Sequence, residues 1–153
     1  MKRIVLILLM LVNLFSLNAQ ENQLFKDREY PQWFSDAKLG IFIHYGLYSV
    51  PSYSDKEQYA EWFYKGLISN DSLRINFQKE VFGENFEYRD YKDLFKAELF
   101  DAAEWADLFA KSGAKYILFT SKHHDGYCMW DSEYAKGWSS ATTTPNRDFC
   151  AEL

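Results

Sequence analysis

Two short apolar runs in this chain share one design. Leu39-Gly40-Ile41-Phe42-Ile43 leads straight into His44-Tyr45, and Tyr116-Ile117-Leu118-Phe119 leads into Thr120-Ser121-Lys122-His123-His124-Asp125. Neither run alternates apolar with polar residues, which is the pattern of a strand buried on both faces, as in a parallel sheet. Between the runs the spacing turns helical. Tyr59, Trp62 and Phe63 recur at i, i+3 and i+4 and predict a helix from Asp55 to about Ile68. Leu73, Phe77 and Val81 recur at fours and predict a second over 71–82. The clearest helix runs from Asp101 to Ser112. Asp101 and Glu104 make a start close to a capping box, Ala102, Trp105, Ala106 and Phe109 form an apolar stripe, and Gly113 is a natural stop. Gly46 to Ser54 reads as a loop, residues 20–38 as a lead-in, 85–100 as irregular, and Asp148 as the opening of another helix. The order is strand, helices, strand, with both strands turning polar at their carboxyl ends. That is an α/β pattern, in which reacting groups sit at those ends.

The first residues follow a different logic. Lys2 and Arg3 precede an apolar run of about nine residues, short of the ~20 that span a bilayer. Ser16-Leu17-Asn18-Ala19 then offers a cleavage site with small Ala19 at its end. Residues 1–19 are expected to be a signal peptide cut after Ala19, which makes the product secreted or periplasmic without a stable membrane anchor. The chain has 153 residues, 48% of them hydrophobic and 19% aromatic, so general disorder is excluded. The formal net charge of −5 argues against a nucleic-acid partner, which requires a basic face. Cys128 and Cys150 are the two cysteines. Whether they pair is open from the sequence, and they do not make a disulfide scaffold.

All three histidines, His44, His123 and His124, fall just after the two apolar runs. One such histidine would be read as a core residue or loop cap; three of three make a site the better reading. They lack HExxH or HxH spacing, so no metal is expected, and there is neither a GxSxG elbow nor a phosphate loop. Glu61-Trp62 is less telling by itself: Trp62 reads as core and Glu61 as a solvated face. Tyr45, Tyr48, Tyr53, Tyr64, Tyr127, Trp130 and Trp138 stand beside polar groups. Rings next to imidazoles and carboxylates suit sugar recognition, and core packing accounts for part of the same excess.

These strings resemble the α-L-fucosidases of glycoside hydrolase family 29. The matching stretches are Trp33-Phe34, Asp36 to Gly46, Tyr48-Ser49-Val50-Pro51, Glu61-Trp62, Phe100 to Ala106, Ser112 to Tyr116, Lys122-His123-His124-Asp125-Gly126 and Arg147-Asp148. The likeness covers nearly all of residues 30–150. It implies a (β/α)₈-like, TIM-type barrel followed by a β-sandwich. It also implies a pocket for terminal fucose lined by His44, Glu61, Trp62, His123 and His124, and a retaining double displacement by an Asp nucleophile and a separate acid/base carboxylate. Partners would be a fucosylated glycan or small fucoside, and no cofactor is needed. Tyr45 stands where the family more often has Trp, and Thr142-Thr143-Thr144-Pro145-Asn146 departs mildly from the usual pattern.

The family's nucleophile and acid/base lie downstream of position 153, so no catalytic residue is assigned here and Asp125 is not given that role. Residues 20–153 are therefore read as the truncated N-terminal part of the catalytic domain. Such a barrel takes roughly 250 residues. Two strands leave raw edges, so poor folding of these residues alone is expected. The alternative is a non-catalytic fucose-binding remnant.

Overall fold

The computed structural model describes residues 29–153, and the signal peptide expected over residues 1–19 lies outside the described residues. Two compact units divide after Asp36. Of the first, the described part leads into helix α1 (Gln32–Ala37), where the Gln32 amide donates to the Asp36 carboxylate at 2.9 Å. The second unit, residues 37–153, carries the features that matter for function.

Its frame is a parallel pair, β1 (Gly40–Ile43) and β2 (Tyr116–Phe119), with Ile41 opposite Ile117 and Phe42 opposite Leu118. The ladder extends one residue each way: the Lys115 N–H donates to the Leu39 carbonyl and the Thr120 N–H to the Ile43 carbonyl. Parallel strands need a crossover, and residues 44–115 supply it. They hold 3₁₀ turns at Leu47–Ser49, Ala60–Trp62 and Tyr88–Asp90, and helices α2 (Phe63–Ile68), α3 (Ser72–Phe82), α4 (Tyr91–Leu94) and α5 (Ala102–Lys111). A long turn region follows β2 and ends in α6 (Phe149–Glu152). Helix starts are set by aspartates whose carboxylates accept first-turn N–H groups. Asp71 takes Leu73 N–H at 3.0 Å, Asp101 takes Glu104 N–H at 2.9 Å, and Asp148 takes Ala151 N–H at 2.9 Å. Gly113 ends α5 with a φ of 88°, the left-handed stop its position predicts.

Two expectations are corrected. The helix predicted from Asp55 begins only at Phe63, after the 3₁₀ turn. The Tyr59 carbonyl accepts from Trp62 N–H and from Arg74 Nη2, a three-residue closure that preempts an α-turn. The helix predicted over 71–82 is α3; of its Leu73, Phe77, Val81 row Phe77 packs against the core while Leu73 and Val81 are exposed, and Arg74, 3% exposed, is its buried residue. Finally, the strands are not buried on both faces. Phe42 is 64% exposed and Leu118 46%: these paired residues share one face of the sheet, which the described residues cover incompletely.

The core sits instead around the carboxyl ends of the strands. Leu47, Tyr48, Phe63, Tyr88, Tyr91, Phe95, Phe100, Tyr127, Met129 and Phe149 pack as one cluster. The segment read as irregular supplies four of these rings. Tyr45 joins them, with its ring centroid 5.3 Å from Phe95 and 5.5 Å from Trp105, and Tyr53 stacks on Phe77 at 4.0 Å. Much of the aromatic excess is therefore core, and Tyr45 packs there. Cys128 is buried and Cys150 exposed, and both are free thiols.

Candidate functional site

His44 is the first residue past β1. After β2 the chain reverses tightly. Gly126 N–H donates to the His123 carbonyl at 3.0 Å, Met129 N–H to Ser121 at 2.8 Å, and Lys122 bridges Cys128. The tip of that reversal is His123-His124-Asp125-Gly126.

Asp125 holds the tip in place. One carboxylate oxygen accepts the Tyr127 N–H at 3.0 Å and the other accepts the Tyr88 hydroxyl at 2.7 Å, while its carbonyl accepts the Trp138 indole N–H at 3.0 Å. Burial, and then the Asp125 charge, push the Tyr88 hydroxyl far above the usual phenol range, so it stays a proton donor. An aspartate bound this way is a structural acceptor. No sequence signal paired Tyr88 with Asp125, 37 positions apart.

The third wall is the Ala60–Trp62 turn. His124 Nε2 lies 3.1 Å from the Glu61 carbonyl. A carbonyl only accepts, so the proton sits on Nε2. The Trp62 ring stacks on His124 at 4.9 Å and 20°, and meets His123 edge-on at 5.8 Å. The His44 and His123 centroids are 5.2 Å apart, and those of His123 and His124 are 4.6 Å apart. Thus His44, Glu61, Trp62, His123 and His124, scattered over 81 positions, come together. Trp62 is 45% exposed, so it belongs to this surface and not to the core. Two of the tyrosines that the sequence sets beside polar groups also attend the cluster. Tyr64 lies nearly parallel to His124 at 6.1 Å, and Tyr48 backs His123 at 5.3 Å.

The electrostatics favour a neutral ring at His123. His123 is held below the ordinary imidazole value of 6.5 by burial first, then by His124 and His44; the Asp125 and Glu61 charges act in the opposite direction and lose. Among the described residues no group of His, Cys, Asp or Glu gathers as a metal-ligand set. A neutral imidazole such as His123 can both donate and accept, and Trp62 offers an apolar face beside it. That combination meets the needs of a polyhydroxylated ring.

The wall is braced from behind. Arg74 Nη1 donates to Gln58 Oε1 and to Asp71 Oδ2, both at 2.5 Å, and Nη2 donates to the Tyr59 carbonyl at 3.2 Å. The guanidinium thereby ties the lead-in of the Glu61-Trp62 turn to α3. It reaches there only because Gly66 has no side chain: a Cβ would stand 2.2 Å from Arg74 Cδ.

The α-L-fucosidase family model matches residues 15–153. The chain belongs to the α-L-fucosidase family. It is 45% identical over 129 residues to an α-L-fucosidase of Dictyostelium discoideum, covering 82% of this chain and 28% of that protein. It is 43% identical over 127 residues to human plasma α-L-fucosidase, covering 82% of this chain and 26% of that one. Among solved structures it resembles Thermotoga maritima α-fucosidase in complex with fucose, with a TM-score of 0.78 and 43% identity over 84% of this chain and 32% of that one. It also resembles a Bacteroides thetaiotaomicron α-L-fucosidase, with a TM-score of 0.63 and 34% identity over 82% and 26%. The chain spans about a quarter of the length of the curated fucosidases it matches. No described helix is long and apolar enough to cross a membrane.

Proposed function

We propose that these residues are the fucose-binding, N-terminal part of the catalytic domain of a secreted, exo-acting α-L-fucosidase, the opening of a (β/α)₈-type barrel. His44, Glu61, Trp62, His123 and His124 hold the terminal fucosyl unit. The imidazoles and the Glu61 carboxylate bond its hydroxyls, and Trp62 packs on its C–H face. Hydrolysis with retention uses a nucleophile and an acid/base from beyond Leu153. The observation that carries this reading is the convergence of all three histidines with Glu61 and Trp62 at the carboxyl ends of two parallel strands. Membership of the family, and the fucose complex among its structural relatives, support the choice of sugar. Secretion is supported by the charged, then apolar, leader and agrees with the plasma origin in the human relative's name.

For the 153 residues alone, binding without hydrolysis is the favoured behaviour, because Asp125 is engaged by Tyr88 and Tyr127. L-fucose should raise the melting temperature, and an aryl α-L-fucoside should not be cleaved. Turnover of the fucoside by these residues would overturn the assignment of both catalytic carboxylates to later sequence.

A further inference from the structure

The histidine tip is mounted on one turn of the crossover. In the 3₁₀ turn Tyr88–Asp90 the Asp90 carboxylate accepts the Glu87 N–H at 2.8 Å. The Gln78 amide, on α3, donates to the Phe86 carbonyl at 2.8 Å and ties the entry of that turn to the helix. From this base Tyr88 reaches into the core, 6% exposed, and donates its hydroxyl to the Asp125 carboxylate at 2.7 Å. Resting on the fucose reading, we propose that Tyr88 is a positioning residue: it touches no sugar, and through Asp125 it holds His123 and His124 where they meet the fucosyl hydroxyls.

Three contacts carry the proposal. The first is the hydroxyl bond itself. Asp125 follows His124 directly, so fixing its carboxylate fixes the backbone that carries both imidazoles. A hydrogen bond from a hydroxyl to a carboxylate is also among the stronger kinds. The second contact runs through Trp138, whose indole N–H donates to the Asp125 carbonyl at 3.0 Å. The same turn holds that indole: Tyr88 meets it edge-on at 6.5 Å, and the Arg89 guanidinium lies 4.4 Å from its ring centroid. The third runs through Tyr64. Its ring packs on Tyr88 with centroids 4.6 Å apart and lies at 13° to His124 at 6.1 Å. Residues 88 and 89 thus grip the tip at the Asp125 carboxylate, at its carbonyl and, through Tyr64, at the His124 ring.

The tip has need of such a mounting. Gly126 turns it with a φ of 77°. His123 Nδ1 is buried and makes no hydrogen bond among the described residues. The His123 ring therefore takes its direction from the backbone beneath it and the rings around it. Binding groups serve a ligand when they are held within roughly 0.5 Å and 10–20° of the productive geometry. Two of the three imidazoles ride on this tip, so one small shift there misplaces both.

The test is a double-mutant cycle on the full chain, with L-fucose affinity read by NMR titration and folding by thermal melting. Tyr88→Phe keeps the ring and removes only the hydroxyl. It should weaken fucose binding about tenfold and move the His123 and His124 imidazole resonances. Asp125→Ala should weaken binding at least as much, and Tyr88→Phe added to it should cost nothing further. A Tyr88→Phe chain that melts lower yet binds fucose with wild-type affinity would overturn the proposal, because the bond would then serve the fold alone. A full tenfold loss on top of Asp125→Ala would overturn it too, since Tyr88 would then act by another route. If a variant does not fold, the wild-type chain decides. Its Tyr88 hydroxyl proton should be protected from exchange and should shift with the imidazoles as fucose is added; an unprotected proton, or one that fucose leaves unmoved, would overturn the proposal. Failure of the wild-type chain to bind fucose at all would overturn the fucose reading, and the positioning role with it.

Discussion

His123 is the residue where the opposing charges of the site meet. Burial and two neighbouring imidazoles depress its pKa, against the pull of Asp125 and Glu61. The sign of the linkage follows. A histidine whose folded pKa lies below its ordinary 6.5 contributes stability that is fully present above that value and is lost as pH falls through the folded pKa. NMR titration of the imidazole should place the His123 midpoint below 6.5; a midpoint at or above 6.5 would mean that the carboxylates dominate. The histidines were legible in the sequence because each follows an apolar run. The roles of Tyr88 and Asp125 were not, because a hydrogen bond across 37 positions leaves no trace in local spacing. Trp62 misled for a related reason: a tryptophan at helical spacing reads as core, and only the 3₁₀ turn turns it outward.

At the scale of elements, the α5 helix came through nearly as its cap, stripe and glycine stop predict, because those signals are local. α3 likewise spans its predicted range, whereas the helix expected from Asp55 starts only at Phe63, and α2 and α3 are held together by one long-range contact, the Arg74 side chain lying against Gly66. That contact can be tested. Alanine is favoured over glycine in a helix by about 1 kcal/mol. Here its Cβ would displace a buried guanidinium held by three hydrogen bonds. Overpacking of this kind costs typically 1–3 kcal/mol, and each lost hydrogen bond about 1. Gly66→Ala should therefore destabilise by about 1–2 kcal/mol in urea denaturation. A neutral or stabilising result would show that Arg74 moves aside freely and braces nothing.

At the scale of the molecule, the fold is a parallel pair with its aromatic core at the carboxyl ends of the strands. The sequence made β1 and β2 legible through their unbroken apolar runs. Their burial was not legible, because it depends on neighbours: Phe42 and Leu118 stay exposed, and an open cleft of about 400 Å³ lies between β1 and α5, lined by Phe42, Ile43, His44, Trp105, Leu108 and Phe109. The site is better supported than the sheet, since the core packs directly beneath it. The central claim is that His44, Glu61, Trp62, His123 and His124 together hold fucose. Its most direct test is an amide and side-chain NMR titration of the chain with L-fucose. Saturable shifts should appear at the imidazoles of His44, His123 and His124 and at the Trp62 indole, with a dissociation constant of roughly millimolar order, a binding free energy of about −4 kcal/mol. Shifts confined to other residues, or none that saturate, would contradict the account.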